Sequence, residues 1–244
     1  MTTSPDPPPR FDAAIVAALD EPVRRYFKHA IRDGALMPPG VRVTMRGQIK
    51  LGTWLPFTAL QHTTPESFIW RAHVGLGPLT LFRVLDSFAP GSGVMDVRLF
   101  GRARVVHRED YNTARSSAGR AALDAAAYAP PILLSQPGPR CAARSDELVV
   151  CAWDVPPERP EVHIRIDHQG AVRSVSALRW GKMGTKDYQY IPCGGDVFAE
   201  RRFGDYLVPS SVAVGWWWGT PRFKPFFRVE LDDVVPAPRT EGLP

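Results

Sequence analysis

The chain has 244 residues, a net charge of +5 and 25 prolines, with 44% hydrophobic and 23% charged residues. These values fit a water-soluble β-rich protein that buries roughly 70–75% of its unfolded surface and needs no staples. They exclude a collagen-like, low-complexity or strongly charged disordered chain, and no stretch reaches the ~20 apolar residues of a membrane span. Of the 30 basic residues 25 are Arg, giving a pI near 9.3 that permits contact with anions but demands none. Residues 1–10 start with a Pro-rich run without a basic start. The apolar run 13–19 stops at Asp20-Glu21 and so does not make a signal peptide. A cytoplasmic location is the resulting expectation. Cys141, Cys151 and Cys193 are odd in number and match no zinc spacing, so they are expected as reduced thiols, with no metal site.

The predicted elements run as follows. Residues 1–10 read as a disordered tail. Residues 11–33 read as a helix interrupted near Pro22. There Val23, Tyr26, Phe27 and Ile31 form an apolar stripe, and Arg24, Arg25, Lys28 and Arg32 lie off it. A solvated basic face on a lid helix is the favoured reading, ahead of a membrane anchor. Residues 41–53 alternate Val41, Val43, Met45, Ile49 and Leu51 with Arg42, Thr44, Arg46, Gln48 and Lys50, which is a strand with one buried face. Gly47 interrupts the apolar phase and suggests a bend or bulge. Strands follow at 57–63, 67–76, 79–88 and 94–108. The last is read as one long strand that buries Met95, Val97, Leu99, Ala103 and Val105 and turns Arg98, Arg102, Arg104 and Arg108 outward.

Residues 117–129 are Ala-rich and end at Pro130-Pro131, so both the helix and its stop are plain. Small side chains let a sheet approach the helix axis, and this helix is read as a plug. Strands resume at 147–155, 161–167, 171–180, 188–191, 197–203, 211–218 and 225–235, leaving 237–244 as a second tail. About 10–12 strands with short connections favour antiparallel pairing, and a flat sheet of that size would curl or split. The expectation is a mainly β, α+β fold: one β-rich domain over 11–236, with a curled, incompletely closed antiparallel sheet around the central helix and an N-terminal amphipathic helix over its concave side.

Catalytic and cofactor signatures are missing: there is no G-x-S-x-G, H-E-x-x-H or dinucleotide fingerprint, and Gly181-Lys182-Met183-Gly184-Thr185-Lys186 lacks phosphate-loop spacing. No cofactor is expected. Six histidines are scattered, and His163, Arg165 and Asp167 read as a solvated strand face. Asp86 and Asp96 flank the 89–93 turn. Arg120 and Asp124 are spaced i, i+4 on the central helix, where burial would turn a weak surface pair into a structural or pocket-lining one. Trp216-Trp217-Trp218 puts large aromatics on both strand faces, which suits a ligand or a covered core.

Several segments resemble a bacterial family of unknown function. They are Glu21-Pro22-Val23-Arg24-Arg25-Tyr26-Phe27, Gly47-Gln48-Ile49-Lys50, Trp54-Leu55-Pro56-Phe57-Thr58-Ala59, Phe68-Ile69-Trp70-Arg71-Ala72, and Asp86-Ser87-Phe88 with Gly91, Gly93 and Met95. The helix adds Arg120, Asp124, Pro130, Leu133 and Leu134. The C-terminal part adds Tyr206-Leu207-Val208-Pro209-Ser210 and Gly215-Trp216. Where the family usually has Glu and an aromatic, this chain has Asp124 and Tyr128. The likeness spans about 21–233 and implies no activity. In architecture the pattern resembles the lipoprotein-carrier half-barrel, which implies acyl chains held under helices.

The leading functional expectation is a non-enzymatic binder of a lipophilic or amphiphilic small molecule on the concave side of the sheet, through Arg120, Asp124, Tyr128, Trp70, Trp216 and Trp218. The alternatives are an enzyme with a polar site near the central helix around Arg120, Asp124, Asp86 and Asp96, and a protein-interaction module without ligand. A basic outer patch of Arg42, Arg46, Lys50, Arg98, Arg102, Arg104 and Arg108 would give weak, salt-sensitive contact with anionic membranes. Nucleic acid is not an expected partner, and the oligomeric state is left open.

Overall fold

A computed structural model describes residues 9–76, 79–135 and 138–239. Most of both expected tails, 1–8 and 240–244, lies outside the described residues. At their inner ends, Arg10 bridges to Leu36 and donates to the Gly34 carbonyl at 2.7 Å, and Arg239 meets Glu66 at 2.6 Å.

A short 3-10 turn at Ala13–Val16, capped by Asp12, precedes α1 (Glu21–Ala30). Then come β1 (Gly40–Leu51), β2 (Thr53–Thr63), β3 (Phe68–Leu76), β4 (Leu79–Ala89), β5 (Ser92–Leu99) and β6 (Ala103–Arg108). Helix α2 (Tyr111–Tyr128) and the short α3 (Pro130–Leu133) follow. The second run is β7 (Arg140–Ser145), β8 (Leu148–Ala152), β9 (Glu161–Ile166), β10 (Val172–Gly181), β11 (Gln189–Phe203), β12 (Tyr206–Trp216) and β13 (Lys224–Ala237). The strands form one open antiparallel sheet in the order β6-β5-β4-β3-β2-β1-β13-β12-β11-β10-β9-β8-β7. The expected fold class is what is found, with thirteen strands among the described residues rather than ten to twelve. Two meanders meet along β1 and β13, and α2 carries the chain from one edge strand to the other.

The curl follows from α2. Strands β5 and β10 are eight places apart in the sheet, roughly 38 Å if it were flat at ~4.8 Å per strand. Yet α2, only ~10–12 Å across with side chains, packs against both. The sheet must therefore wrap around it. Small residues permit the approach: Ala114, Ala118, Ala121, Ala122, Ala125 and Ala126 are all buried, and a Cβ on Gly93 would sit 2.8 Å from the Ala114 Cα. Asp110 caps the helix by accepting from the Thr113 N–H at 2.8 Å, and Pro130 follows its last turn. At the other end of the curl, α1 buries Val23, Tyr26 and Phe27 against the sheet, as the stripe predicts; of its basic residues Lys28 is exposed, while Arg24 and Arg25 are half-buried.

Three local expectations need correction. Residues 94–108 are two strands, because Phe100 (φ 50°) and Gly101 (φ 71°) make a left-handed turn closed by the Arg102 N–H on the Leu99 carbonyl at 3.1 Å. Gly47 does not mark the bulge. The register shift lies at Thr44/Met45, whereas at Gly47 strand β13 comes so near that a Cβ would lie 1.9 Å from the Arg228 carbonyl oxygen. Cys141 and Cys151 are disulfide-bonded rather than reduced, since β7 and β8 place them directly opposite each other; Cys193 is buried and free.

Asp96 ties the β5–β6 hairpin from its outer face, 2.8 Å from Arg98, 2.7 Å from Arg104 and 3.4 Å from His107. Burial pushes its carboxyl up, but the Arg98 hydrogen bond and the charges of Arg104, Arg98 and His107 outweigh this and hold it below the usual carboxylate range. A carboxylate lowered in the folded state contributes stability above its unfolded pKa of ~3.9 and loses it as pH falls through the folded value. Urea unfolding should therefore show Asp96→Asn less stable than the parent at pH 7, with the difference closing as pH is lowered below about 4. A gap that stays constant with pH would show that Asp96 acts only by packing.

Candidate functional site

One cross-strand row builds the site. Val43 pairs with Gln61, Gln61 with Trp70, Trp70 with Asp86, Asp86 with Met95, and Met95 with Arg108. Side chains directly opposite across an antiparallel pair share a face, and here the face is concave. The next row along, Met45, Ala59, Ala72, Val84, Val97 and Val106, is apolar throughout. From the other half of the sheet Val175, Val197, Val212, Val214, Val229 and Phe227 face the same space. Between these walls and α2 lies a partly open chamber of about 610 Å³, within the size range of small-molecule sites. Its lining is mostly aliphatic and aromatic.

One polar cluster interrupts the lining. Arg120, Asp124 and Tyr128 descend one face of α2 at i, i+4 and i, i+8 and meet Gln61 and Asp86 from the sheet. The Arg120 guanidinium pairs through Nη1 with Asp86 and donates through Nε to Asp124 at 3.1 Å. Gln61 donates to Asp124 at 3.0 Å and to Thr63 at 2.9 Å, and its carbonyl accepts from Tyr128 at 3.5 Å. Phe68 and Trp70 lie under the guanidinium, 4.7 and 5.1 Å from their ring centres. Burial lowers the affinity of Arg120 for its proton, but Asp86 and Asp124 outweigh it and raise the pKa further. Burial, aided by the Asp124 charge, pushes the Tyr128 phenol well above its ordinary value. At neutral pH the cluster therefore holds a charged Arg and a neutral Tyr.

Of the expected ligand residues, Arg120, Asp124, Tyr128, Trp70 and Trp216 all line the chamber. Trp218 does not. Trp217 adopts φ 63° and ends the strand, so the alternation that would align Trp218 with Trp216 is broken; the Trp218 indole reaches Asp196 at 3.3 Å instead. Asp86 joins Arg120 and Asp124, whereas Asp96 lies on the other sheet face. The basic patch divides. Arg46 is paired with Glu230 at 3.0 Å and with Asp232; Arg98 and Arg104 are held by Asp96; Arg42, Lys50 and Arg102 are exposed. Arg108 lines the chamber because of a bulge in β6: Arg98 pairs with Arg104 but Val97 pairs with Val106, so Val105 is left over and the phase is reset. Sequence reasoning passed over Gln61, fully buried at 0% exposure. Its signal was present: Phe57, Ala59, Gln61 and Thr63 share one strand phase, so a polar residue stands in a buried row. Arg179 was also missed; it donates to the Ser116 carbonyl at 2.8 Å and stacks 4.9 Å from Trp216.

Among the described residues no three His, Cys, Asp or Glu could hold a metal, and no helix is long and apolar enough to cross a membrane. Cys193 lines the chamber, but burial pushes its thiol up, away from the reactive thiolate.

The fold and the site define an open, curled antiparallel sheet that encloses an apolar chamber against an internal helix. The chain belongs to a family of unknown function, DUF6920, whose model matches residues 17–235. No curated protein matches. Among solved structures the chain is similar to a domain named as an outer membrane lipoprotein-sorting protein domain from Vibrio parahaemolyticus, with 9% identity, TM-score 0.44, and 80% of this chain and 84% of that one covered. It is also similar to a LolA superfamily protein from Nitrosomonas europaea, with 8% identity, TM-score 0.42, and 91% and 93% covered. Likeness at this level carries nothing about activity.

Removing Arg120 leaves two carboxylates facing each other in a buried site. Arg120→Gln should lower unfolding free energy by about 3–5 kcal/mol. Arg46→Gln, at an exposed pair, should change it by no more than about 0.5 kcal/mol. Denaturant titration distinguishes the two, and equal effects would remove Arg120 from its structural role.

Proposed function

We propose that the protein is a non-enzymatic binder of a lipophilic or amphiphilic small molecule, held in the chamber between α2 and the concave sheet. The observation that carries this reading is the chamber itself, about 610 Å³ with a mostly apolar lining in which Arg120, Asp124, Tyr128, Gln61 and Asp86 form one connected polar cluster. A chamber of that kind gains by exchanging water for an apolar ligand, and a few fixed polar groups set its orientation. The enzyme reading has less behind it: the converging carboxylates are neutralised by Arg120 rather than free to move protons. The interaction-module reading leaves the chamber without a role. Protein purified under native conditions should carry a lipid visible by native mass spectrometry, and N-phenyl-1-naphthylamine should bind delipidated protein and be displaced by long-chain lipids. Protein that is always empty and takes up no probe would refute the reading.

The hairpin tips at the open end of the sheet support an anionic membrane as the place of exchange. Leu51, Leu76, Leu79, Phe100 and Met183 are exposed there, with Phe100 60% accessible. Lys50, Arg102 and Lys182 stand beside them in sequence; Arg222 and Lys224 lie in or next to the β12–β13 loop, where Arg222 stacks 3.6 Å from the Trp217 ring and the Trp217 indole donates to the Met183 carbonyl at 2.9 Å, joining that loop to the β10–β11 loop. Phe100 occupies a left-handed position that usually goes to Gly or Asn, a backbone cost tolerated here at an exposed aromatic. Apolar tips flanked by cations suit the interface of an anionic bilayer. Cosedimentation with phosphatidylglycerol-containing vesicles should occur at low salt and fade towards about 0.5 M. Phe100→Ser with Leu79→Ser should weaken it several-fold, and Arg98→Gln should not. If the outer-face variant is the one that weakens binding, the rim is not the contact.

A further inference from the structure

Of the buried polar side-chain atoms without a hydrogen-bond partner among the described residues, two belong to the chamber wall: the Trp70 indole Nε1 and the Asp86 Oδ1. Trp70 is 3% and Asp86 2% exposed, and they are direct partners across β3 and β4. Their chemistry is opposite. The indole N–H can only donate, and a carboxylate oxygen can only accept. Every other polar group of the cluster is engaged within it: Asp86 through its other oxygen with Arg120, and Asp124, Gln61 and Tyr128 with one another. A buried donor or acceptor left unpaired is costly, so the pair specifies what a ligand must bring.

From this we propose that the chamber selects a lipophile whose buried polar group is an uncharged hydroxyl, seated between Trp70 Nε1 and Asp86 Oδ1. The hydroxyl oxygen accepts from the indole and its hydrogen is donated to the carboxylate, so both atoms are satisfied by one small group. A fatty-acid carboxylate meets the indole but offers no hydrogen to Asp86. It would also bring a third negative group to a site where two carboxylates already share one guanidinium. An alkylammonium reverses the fault: it can donate to Asp86 but has no lone pair for the indole. Trp70 is further fixed by aromatic neighbours, Phe57 at 5.9 Å edge-on and Phe227 at 6.2 Å, so its N–H cannot swing away cheaply. The ligand class is therefore a long-chain or polycyclic alcohol, with its apolar body lying along the valine-rich wall towards the open end.

This rests on the reading of the chamber as a lipophile site, and the test separates the two. Delipidated protein is titrated with hexadecan-1-ol, hexadecanoate and hexadecylamine at pH 8, with displacement of the uncharged N-phenyl-1-naphthylamine as readout. The alcohol should bind at least tenfold more tightly than either charged chain. Trp70→Phe keeps an aromatic ring in place but removes the pyrrole half of the indole together with its N–H. It should reduce hexadecan-1-ol affinity about five- to tenfold more than naphthylamine affinity, which reports the lost packing alone; an equal fall in both overturns the hydroxyl assignment. Hexadecanoate binding as tightly as the alcohol, or Trp70→Phe leaving alcohol affinity intact, overturns the hydroxyl assignment while the lipophile reading stands. If neither the probe nor any of the three chains binds, both fall.

Discussion

The structure depends on how closely a helix can approach a curled sheet. Helix α2 lies inside the curl because most of its buried residues are Ala or Gly, and because Gly93 on the facing strand β5 removes the other side of the collision. A Cβ on Gly93 would sit 2.8 Å from Ala114, and on the helix side a Cβ on Gly119 would sit 3.0 Å from the Arg179 side chain of β10. A bulkier helix would push the two halves apart and open the sheet. A slender one cannot fill the enclosed volume, and the chamber is what remains beside it.

Apolar contact alone would leave such a helix free to slide or rotate in the curl. Arg120 removes that freedom. It is a single long side chain from the middle of α2 that reaches Asp86 on β4 and Asp124 on its own helix, with two aromatic faces beneath it. A second tie sits nearer the helix start, where Arg115 pairs with Glu158 and donates to Tyr190 at 2.8 Å while stacking 3.5 Å from Trp180. The two arginines fasten α2 to opposite halves of the sheet, one to β4 and the other to the Glu158 loop and β10–β11. Buried ion pairs of this kind contribute less to net stability than to uniqueness of arrangement, since desolvation offsets much of the attraction. Their consequence for function is that the polar cluster keeps a fixed place on the chamber wall.

Much of the fold was legible because it rests on local rules. Period-two alternation in β1, the Ala run closed by two prolines in α2, and the strand count leave few alternatives to a curled antiparallel sheet. Where the reading failed, a single turn or bulge residue changed the phase. The left-handed turn at Phe100 and Gly101 split one strand into two, and the bulge at Val105 then brought Arg108 from the outer face to the chamber. The left-handed Trp217 did the same to Trp218. A non-glycine residue gives no sign in the sequence that it will adopt positive φ. The helix side of the site was legible too, because i, i+4 spacing alone puts Arg120, Asp124 and Tyr128 together. Its sheet side was less so. Gln61 and Asp86 become neighbours of Arg120 only through the register of β2, β3 and β4, which no local pattern specifies. The Cys141–Cys151 pairing is likewise a matter of register rather than spacing.

The account stands or falls on the chamber being a ligand space rather than loosely packed core, and filling it is the most direct measurement. Ala127 on α2 and Val197 on β11 both line it. In the variant Ala127→Phe with Val197→Phe, the added rings should occupy the chamber, abolish N-phenyl-1-naphthylamine binding and leave the melting temperature unchanged or higher. A melting temperature that falls by several degrees, as an overpacked core would give, together with undiminished probe binding, would contradict it.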